Sequence, residues 1–84
     1  MVKVLYFSRM RTLIGKSEED VALPQGVCSV ADLIGFLAQQ SAEHARAFAT
    51  IKPLYVAVDC QYAEPDYDVA DAREVAFFPA VSGG

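Results

Sequence analysis

Ser29 to Gln40 (SVADLIGFLAQQ) restricts the fold of this chain more than any other stretch. Val30, Leu33, Ile34 and Leu37 recur at the spacing of one helical face. Ser29 stands three residues ahead of Asp32, the arrangement of a capping box, in which the serine hydroxyl accepts from the Asp32 amide and the carboxylate lies near the positive helix end. Gln39 and Gln40 close the helix on its polar side. An apolar stripe must be covered, and the rest of the sequence offers no second long helix to receive it. The stripe must therefore lie on a sheet, which makes the chain α+β.

The remaining segments supply that sheet. Val2 to Phe7 (VKVLYF) is β-branched and aromatic on both faces apart from Lys3, as a central strand is. Met10, Leu13 and Ile14 fall at helical spacing before Gly15, which predicts a short glycine-capped helix with Arg9 and Arg11 projecting. Lys16 to Asp20 is charged and expected to be exposed. Val21 and Leu23 then alternate with Asp20 and Ala22 like a half-buried strand, ended by Pro24-Gln25-Gly26. Ser41 to Thr50 is alanine-rich and reads as a looser helical segment anchored by Phe48 and Ile51. Pro53 opens a strand over Leu54 to Gln61, with Leu54, Val56 and Val58 on one face and Tyr55, Ala57 and Asp59 on the other. A turn at Asp59 to Gln61 leads to a brief strand around Tyr62, and Glu64-Pro65-Asp66 makes another turn. The order is two strands, a helix and further strands, an α+β roll.

The last stretch, REVAFFPAVSGG, is the one whose composition folding alone does not explain. Val75 to Phe78 reads as a strand that Pro79 stops, since proline has no N–H for a ladder. Ala80 to Gly84 is too poor in apolar surface to offset the entropy of being ordered, so a mobile tail is expected on a folded body of residues 1–79. Extended, such a tail reaches roughly 17 Å at ~3.3–3.6 Å per residue. Gly83 and Gly84 lack Cβ atoms and can thread a slot that rejects any other pair. The alternation of the strand places Phe77 in the core and Phe78 at the root of the tail, where it forms an apolar patch with Pro79 and Val81 of the kind that anchors protein interfaces.

Composition closes off other classes. At 84 residues the chain is one domain. Its hydrophobic fraction of 54% and mean hydropathy of +0.24 are high for a small soluble domain, yet no apolar run approaches the ~20 residues that cross a bilayer. A second protein covering part of the surface accounts for the excess better than a membrane does. The net charge of −4 and the lack of a basic cluster argue against nucleic acid. Met1-Val2-Lys3 runs straight into a strand pattern with no signal-peptide architecture, so the cytoplasm is the default setting. Cys28 and Cys60 read as structural thiols, and lone His44, beside Glu43 and Arg46, is expected on a solvated face. Neither pattern suits a metal site. There is no phosphate-binding glycine loop and no nucleophile elbow.

Over essentially its full length the chain resembles the small, sulfur-carrying subunits of molybdopterin synthase, which are ubiquitin-like β-grasp proteins. The resemblance rests on VKVLYFSRMRTLIG, the SVADLIGFL helix, the LYVAVD strand and EVAFFPAVSGG. It departs at Ala80, where many relatives carry a second proline, and a slightly less stiff tail root is expected. The fold implied is a β-grasp roll, a mixed sheet of four or five strands packed on one main helix.

The resemblance also implies a carrier cycle. A ubiquitin-activating-like adenylyltransferase uses ATP to adenylate the Gly84 carboxylate, a sulfur donor protein converts it to a thiocarboxylate, and the tail enters the large catalytic subunit. There the sulfur passes to cyclic pyranopterin monophosphate on the way to the molybdenum cofactor. No stably bound cofactor or metal is implied, and the complex is a heterotetramer. Gly84 and Gly83 carry the chemistry, and Phe7, Arg11, Tyr62, Phe78, Pro79, Val81 and Ser82 are the residues expected to face partners. Two alternatives stay open: a sulfur carrier for another pathway such as thiazole synthesis, or a ubiquitin-like modifier. A plain interaction module whose carboxylate is never activated is a third.

Overall fold

Val2, Val4 and Tyr6 project to one side of the first strand, β1 (Val2–Tyr6), and all three are buried, whereas Lys3 on the other side is exposed. The structure, a computed structural model, describes residues 1–80. After β1 come α1 (Arg9–Ile14), β2 (Glu18–Val21), α2 (Val30–Ala38), α3 (Ala42–Thr50), β3 (Leu54–Val58), β4 (Gln61–Tyr62) and β5 (Glu74–Pro79). The strands form one sheet in the order β2-β1-β5-β3-β4. β1 and β5 run parallel at its centre, and the other neighbours are antiparallel. This is the mixed α+β β-grasp roll expected from the sequence. Val81, Ser82, Gly83 and Gly84, expected to form the tail and face partners, lie outside the described residues.

The core is a single cluster between the sheet and the helices. β1 contributes Val2, Val4 and Tyr6, β5 Val75 and Phe77, and β3 Val56 and Val58; the helices contribute Met10, Ile14, Leu33, Leu37, Ala47 and Phe48. Phe77 is fully buried, with the Phe48 ring edge-on at 5.2 Å and the Tyr6 ring stacked at 6.2 Å. Ser29 caps α2 as its spacing predicts: its hydroxyl accepts from the Asp32 amide at 3.1 Å, and the Asp32 carboxylate accepts from the amides of Ser29 and Cys28. Those backbone donors hold the Asp32 carboxyl below its ordinary value. α1 ends at Gly15, whose left-handed φ of 90° turns the chain toward β2.

Several expectations need correction. The three helical segments expected are all present, but the one read as looser, α3, matches α2 in length and buries His44, Ala47 and Phe48 on one face. The second strand starts earlier than the alternation at Val21 and Leu23 suggests. It takes in the charged residues Glu18 to Asp20, which suits an edge strand, since charges there discourage pairing with other chains.

Within β2, Glu19 lies opposite Val4 on the inward face, and this explains His44. His44 is 5% exposed and not solvated. Its Nε2 lies 2.8 Å from Glu19 Oε2, and its Nδ1 lies 2.7 Å from the hydroxyl of Ser41, the cap of α3, so both ring nitrogens are partnered. The Tyr6 hydroxyl donates to the same Glu19 oxygen at 2.6 Å. Burial pushes the Glu19 carboxyl up, but the hydrogen bonds from Tyr6 and His44, with the charges of His44 and Lys16, outweigh it and leave the group below its ordinary value. Burial, then the Glu19 hydrogen bond and charge, push the Tyr6 hydroxyl well up.

Cys28 and Cys60, expected to serve as packing residues, are exposed free thiols. Cys60 shares the turn between β3 and β4 with Asp59, both at positive φ (72° and 48°) as a two-residue type I′ turn demands. Asp59 is held there by its own carboxylate, which accepts from the amides of Arg73 and Glu74 at 3.0 Å and ties the turn to the start of β5.

Candidate functional site

The helices cover one face of the sheet and leave the other open. Across it, the register aligns Leu5, Ala76, Ala57 and Tyr62 on four successive strands, and one step along β5 and β3 it aligns Phe78 with Tyr55. These positions alternate with the core-facing ones, as a pleated strand requires, and Ala76 at the centre of the sheet is itself buried. Phe78 is half-buried between two tyrosine rings, at 6.1 Å from Tyr55 and 5.9 Å from Tyr62. Tyr62 is 80% exposed and Tyr55 45%. The three rings form an apolar, aromatic patch with two hydroxyls at its margin.

The residues singled out from the sequence fall unevenly around this patch. Phe78 and Tyr62 are brought together in it. Phe7 is 47% exposed and sits at the end of β1, where its N–H donates to the Phe77 carbonyl at 3.1 Å, one residue from Phe78. Arg11 is exposed on the last turn of α1 and makes no ion pair among the described residues. Pro79 does not stop the strand; it is its last residue, opposite Leu54, and the Ala80 N–H donates to the Pro53 carbonyl at 3.3 Å. The alternation of the β5–β3 ladder explains this. The amide of Pro79 would face the Phe7 carbonyl, the rung that follows the bond from the Phe7 N–H to the Phe77 carbonyl, so its missing N–H ends the pairing with β1 while the pairing with β3 continues. The chain therefore leaves the sheet directly beside the aromatic patch.

Tyr55 was not among the residues singled out, although its place on the face opposite Leu54 and Val56 was legible. The missing signal is the partner of that face: nothing in the sequence says that Phe78 and Tyr62 converge on it. Among the described residues no group of His, Cys, Asp or Glu side chains gathers to hold a metal ion, and no helix is long and apolar enough to cross a membrane. What the arrangement offers is an adhesive surface at the root of the C-terminal stretch. The three rings give it the chemistry of a docking surface.

The ThiS family model matches residues 4–84 of the chain. The chain belongs to the ThiS family. The molybdopterin synthase sulfur carrier subunit of Escherichia coli strain K12 is 38% identical over 84 residues, the full length of both chains. The subunit of the same name from Mycosarcoma maydis is 36% identical, covering 99% of this chain and 92% of that one. The one from Chlamydomonas reinhardtii is 34% identical, covering 99% and 98%. The family resemblance drawn from the sequence is thus borne out.

The solved structures agree. A Pyrococcus furiosus protein solved under the name molybdopterin converting factor, subunit 1, superposes with a TM-score of 0.76 at 32% identity, covering 95% of this chain and 97% of its own. SAMP1 from Haloferax volcanii gives 0.75 at 22% identity over 99% and 98%, a likeness of fold. This member of the ThiS family shares its architecture with both.

Proposed function

We propose that this chain is the sulfur-carrier subunit of a molybdopterin synthase, working in the cytoplasm, with Gly84 as the atom-bearing end. The observation that carries the reading is the aromatic patch of Phe78, Tyr55 and Tyr62 at the point where the chain leaves the sheet toward Gly83-Gly84. Full-length similarity to three subunits of that name supports it over a carrier for another pathway or a protein modifier.

The chemistry needs no side chain of this domain. An α-carboxyl with a pKa of ~3.3–3.7 is ionised at neutral pH. Its oxygen attacks the α-phosphorus of ATP on an adenylyltransferase, pyrophosphate leaves, and a mixed anhydride forms. The terminal sulfur of a persulfide on a donor protein attacks the acyl carbon and AMP leaves; a thiol then attacks the donor-side sulfur of the resulting acyl disulfide, a disulfide forms on the donor, and Gly84 is released as a thiocarboxylate. The large catalytic subunit then takes the tail, and the sulfur passes to cyclic pyranopterin monophosphate while water restores the carboxylate. The partners supply the electrostatic stabilisation. Phe7, Arg11, Tyr62, Phe78 and Pro79 seat the body, Val81 and Ser82 guide the tail, and two such carriers serve a large-subunit dimer.

The test is to delete Gly84, or to add one residue beyond it, and to measure sulfur transfer together with thermal melting. Transfer is lost in both variants and the melting temperature is unchanged. Full activity in either variant overturns the reading.

A further inference from the structure

The face of Phe78 and Tyr55 does not end at the edge of the sheet. β4 pairs with Ala57 and Val58 alone, and the Ala63 N–H adds one bond to the Val56 carbonyl, after which Glu64 and Pro65 carry the chain away. The first half of β3 is therefore an open edge. Bonds from Asp59 to Glu74 and from Ala80 to Pro53 fix the parity of the β5 ladder, so the main-chain groups of Leu54 and Val56 point outward. Among the described residues, nothing accepts from the N–H of Leu54 or Val56, and nothing donates to the Leu54 carbonyl. Beside this edge runs a groove of about 680 Å³ lined by Ile34 of α2, Leu54, Pro65, Glu64, and the rings of Tyr62 and Phe78.

We infer that this edge and groove take an extended segment of the large catalytic subunit, which adds a strand to β3. The inference rests on the carrier reading above and specifies its interface. Three features set the occupant. The unpaired N–H, C=O and N–H along one edge match an extended backbone and no other ligand class, and strand addition is the common way such an edge is used. Tyr62 and Phe78 belong both to the patch and to the groove wall, so a protein seated on the patch already stands at its lip. Glu64 is the one charged residue of the lining, on a chain of net charge −4, so the segment is apolar with a Lys or Arg opposite Glu64.

The test uses the full chain and the large synthase subunit of the same organism. Amide hydrogen exchange is followed at Leu54 and Val56, free and in complex, and affinities are measured for wild type, Phe78→Ala, Ile34→Glu and Glu64→Lys. Ile34 lines the groove from α2 and stands apart from the sheet face. Strand addition predicts that both amides become protected, that Ile34→Glu weakens binding about tenfold or more, and that Glu64→Lys weakens it severalfold. Melting curves separate Ile34→Glu from a folding defect, and the exchange data do not depend on any variant. If both amides exchange as fast in the complex as in the free chain while Phe78→Ala still weakens binding, the carrier reading stands and strand addition fails. If the wild-type chain does not bind the subunit, both fail. Protection that grows with the concentration of the free chain alone shows self-pairing and also overturns the proposal.

Discussion

His44 Nε2 lies 2.8 Å from Glu19 Oε2, the carboxylate oxygen that also receives the Tyr6 hydroxyl at 2.6 Å. This junction fastens α3 to the β1–β2 edge, so the helix is located by a buried polar network as well as by Ala47 and Phe48. Removing one member strands the others. Glu19→Ala is expected to cost about 1–3 kcal/mol, the penalty of leaving buried donors unsatisfied, and Tyr6→Phe about 1 kcal/mol. Denaturant unfolding checks both, and a cost near zero for Glu19→Ala contradicts the assigned network.

The same junction sets a pH dependence with two limbs. The Glu19 carboxyl is held below its ordinary value, so its contribution is complete above the usual carboxylate range and is lost as the pH falls through the folded value. The Tyr6 hydroxyl is held above its ordinary value, so its contribution is complete below a pH of ~10 and is lost as the pH rises beyond it. Melting temperatures across the two limbs are expected to show the acid limb shallower in Glu19→Gln and the alkaline limb shallower in Tyr6→Phe.

Phe78→Ala is expected to weaken the complex with the large subunit by ~2 kcal/mol or more, because the side chain is the centre of the Tyr55–Phe78–Tyr62 cluster and is already held in place in the free chain. Titration calorimetry measures it. An unchanged affinity removes the patch from the interface.

Cys60→Gly is expected to raise stability by about 0.5–1 kcal/mol, because Cys60 occupies a left-handed φ of 72° that a side chain disfavours and an Asp-Gly pair suits in a type I′ turn. Its exposed side chain gives up no packing. Chemical denaturation decides it, and a loss of stability shows that the turn is held by more than its backbone.

What was legible in the sequence is what depends on local chemistry. The Ser29 and Asp32 spacing gave the α2 cap, the Leu54–Val56–Val58 alternation gave the β3 faces, and the Val75-Ala76-Phe77-Phe78 run sent Phe77 inward and Phe78 outward. What was not legible is what depends on a distant partner. His44 looks solvated beside Glu43 and Arg46 until β2 brings Glu19 to it from 25 residues away. Glu18 to Asp20 looks like a charged loop until β1 gives it an antiparallel neighbour. Pro79 looks like a stop on both sides until the ladders show that its missing N–H ends the pairing with β1 alone, while β3 still holds it opposite Leu54. The candidate site divides the same way: Phe78 and Tyr62 were each identified, and Tyr55 emerged when three strands set them side by side.

The most direct measurement is the intact mass of the chain purified from its native cell under conditions that preserve thioacids. The account predicts a population in which one oxygen of the Gly84 carboxylate is replaced by sulfur, and which reverts to the carboxylate when the large subunit and its pterin substrate are added. A chain that carries only the unmodified carboxylate, in cells actively making the cofactor, contradicts it.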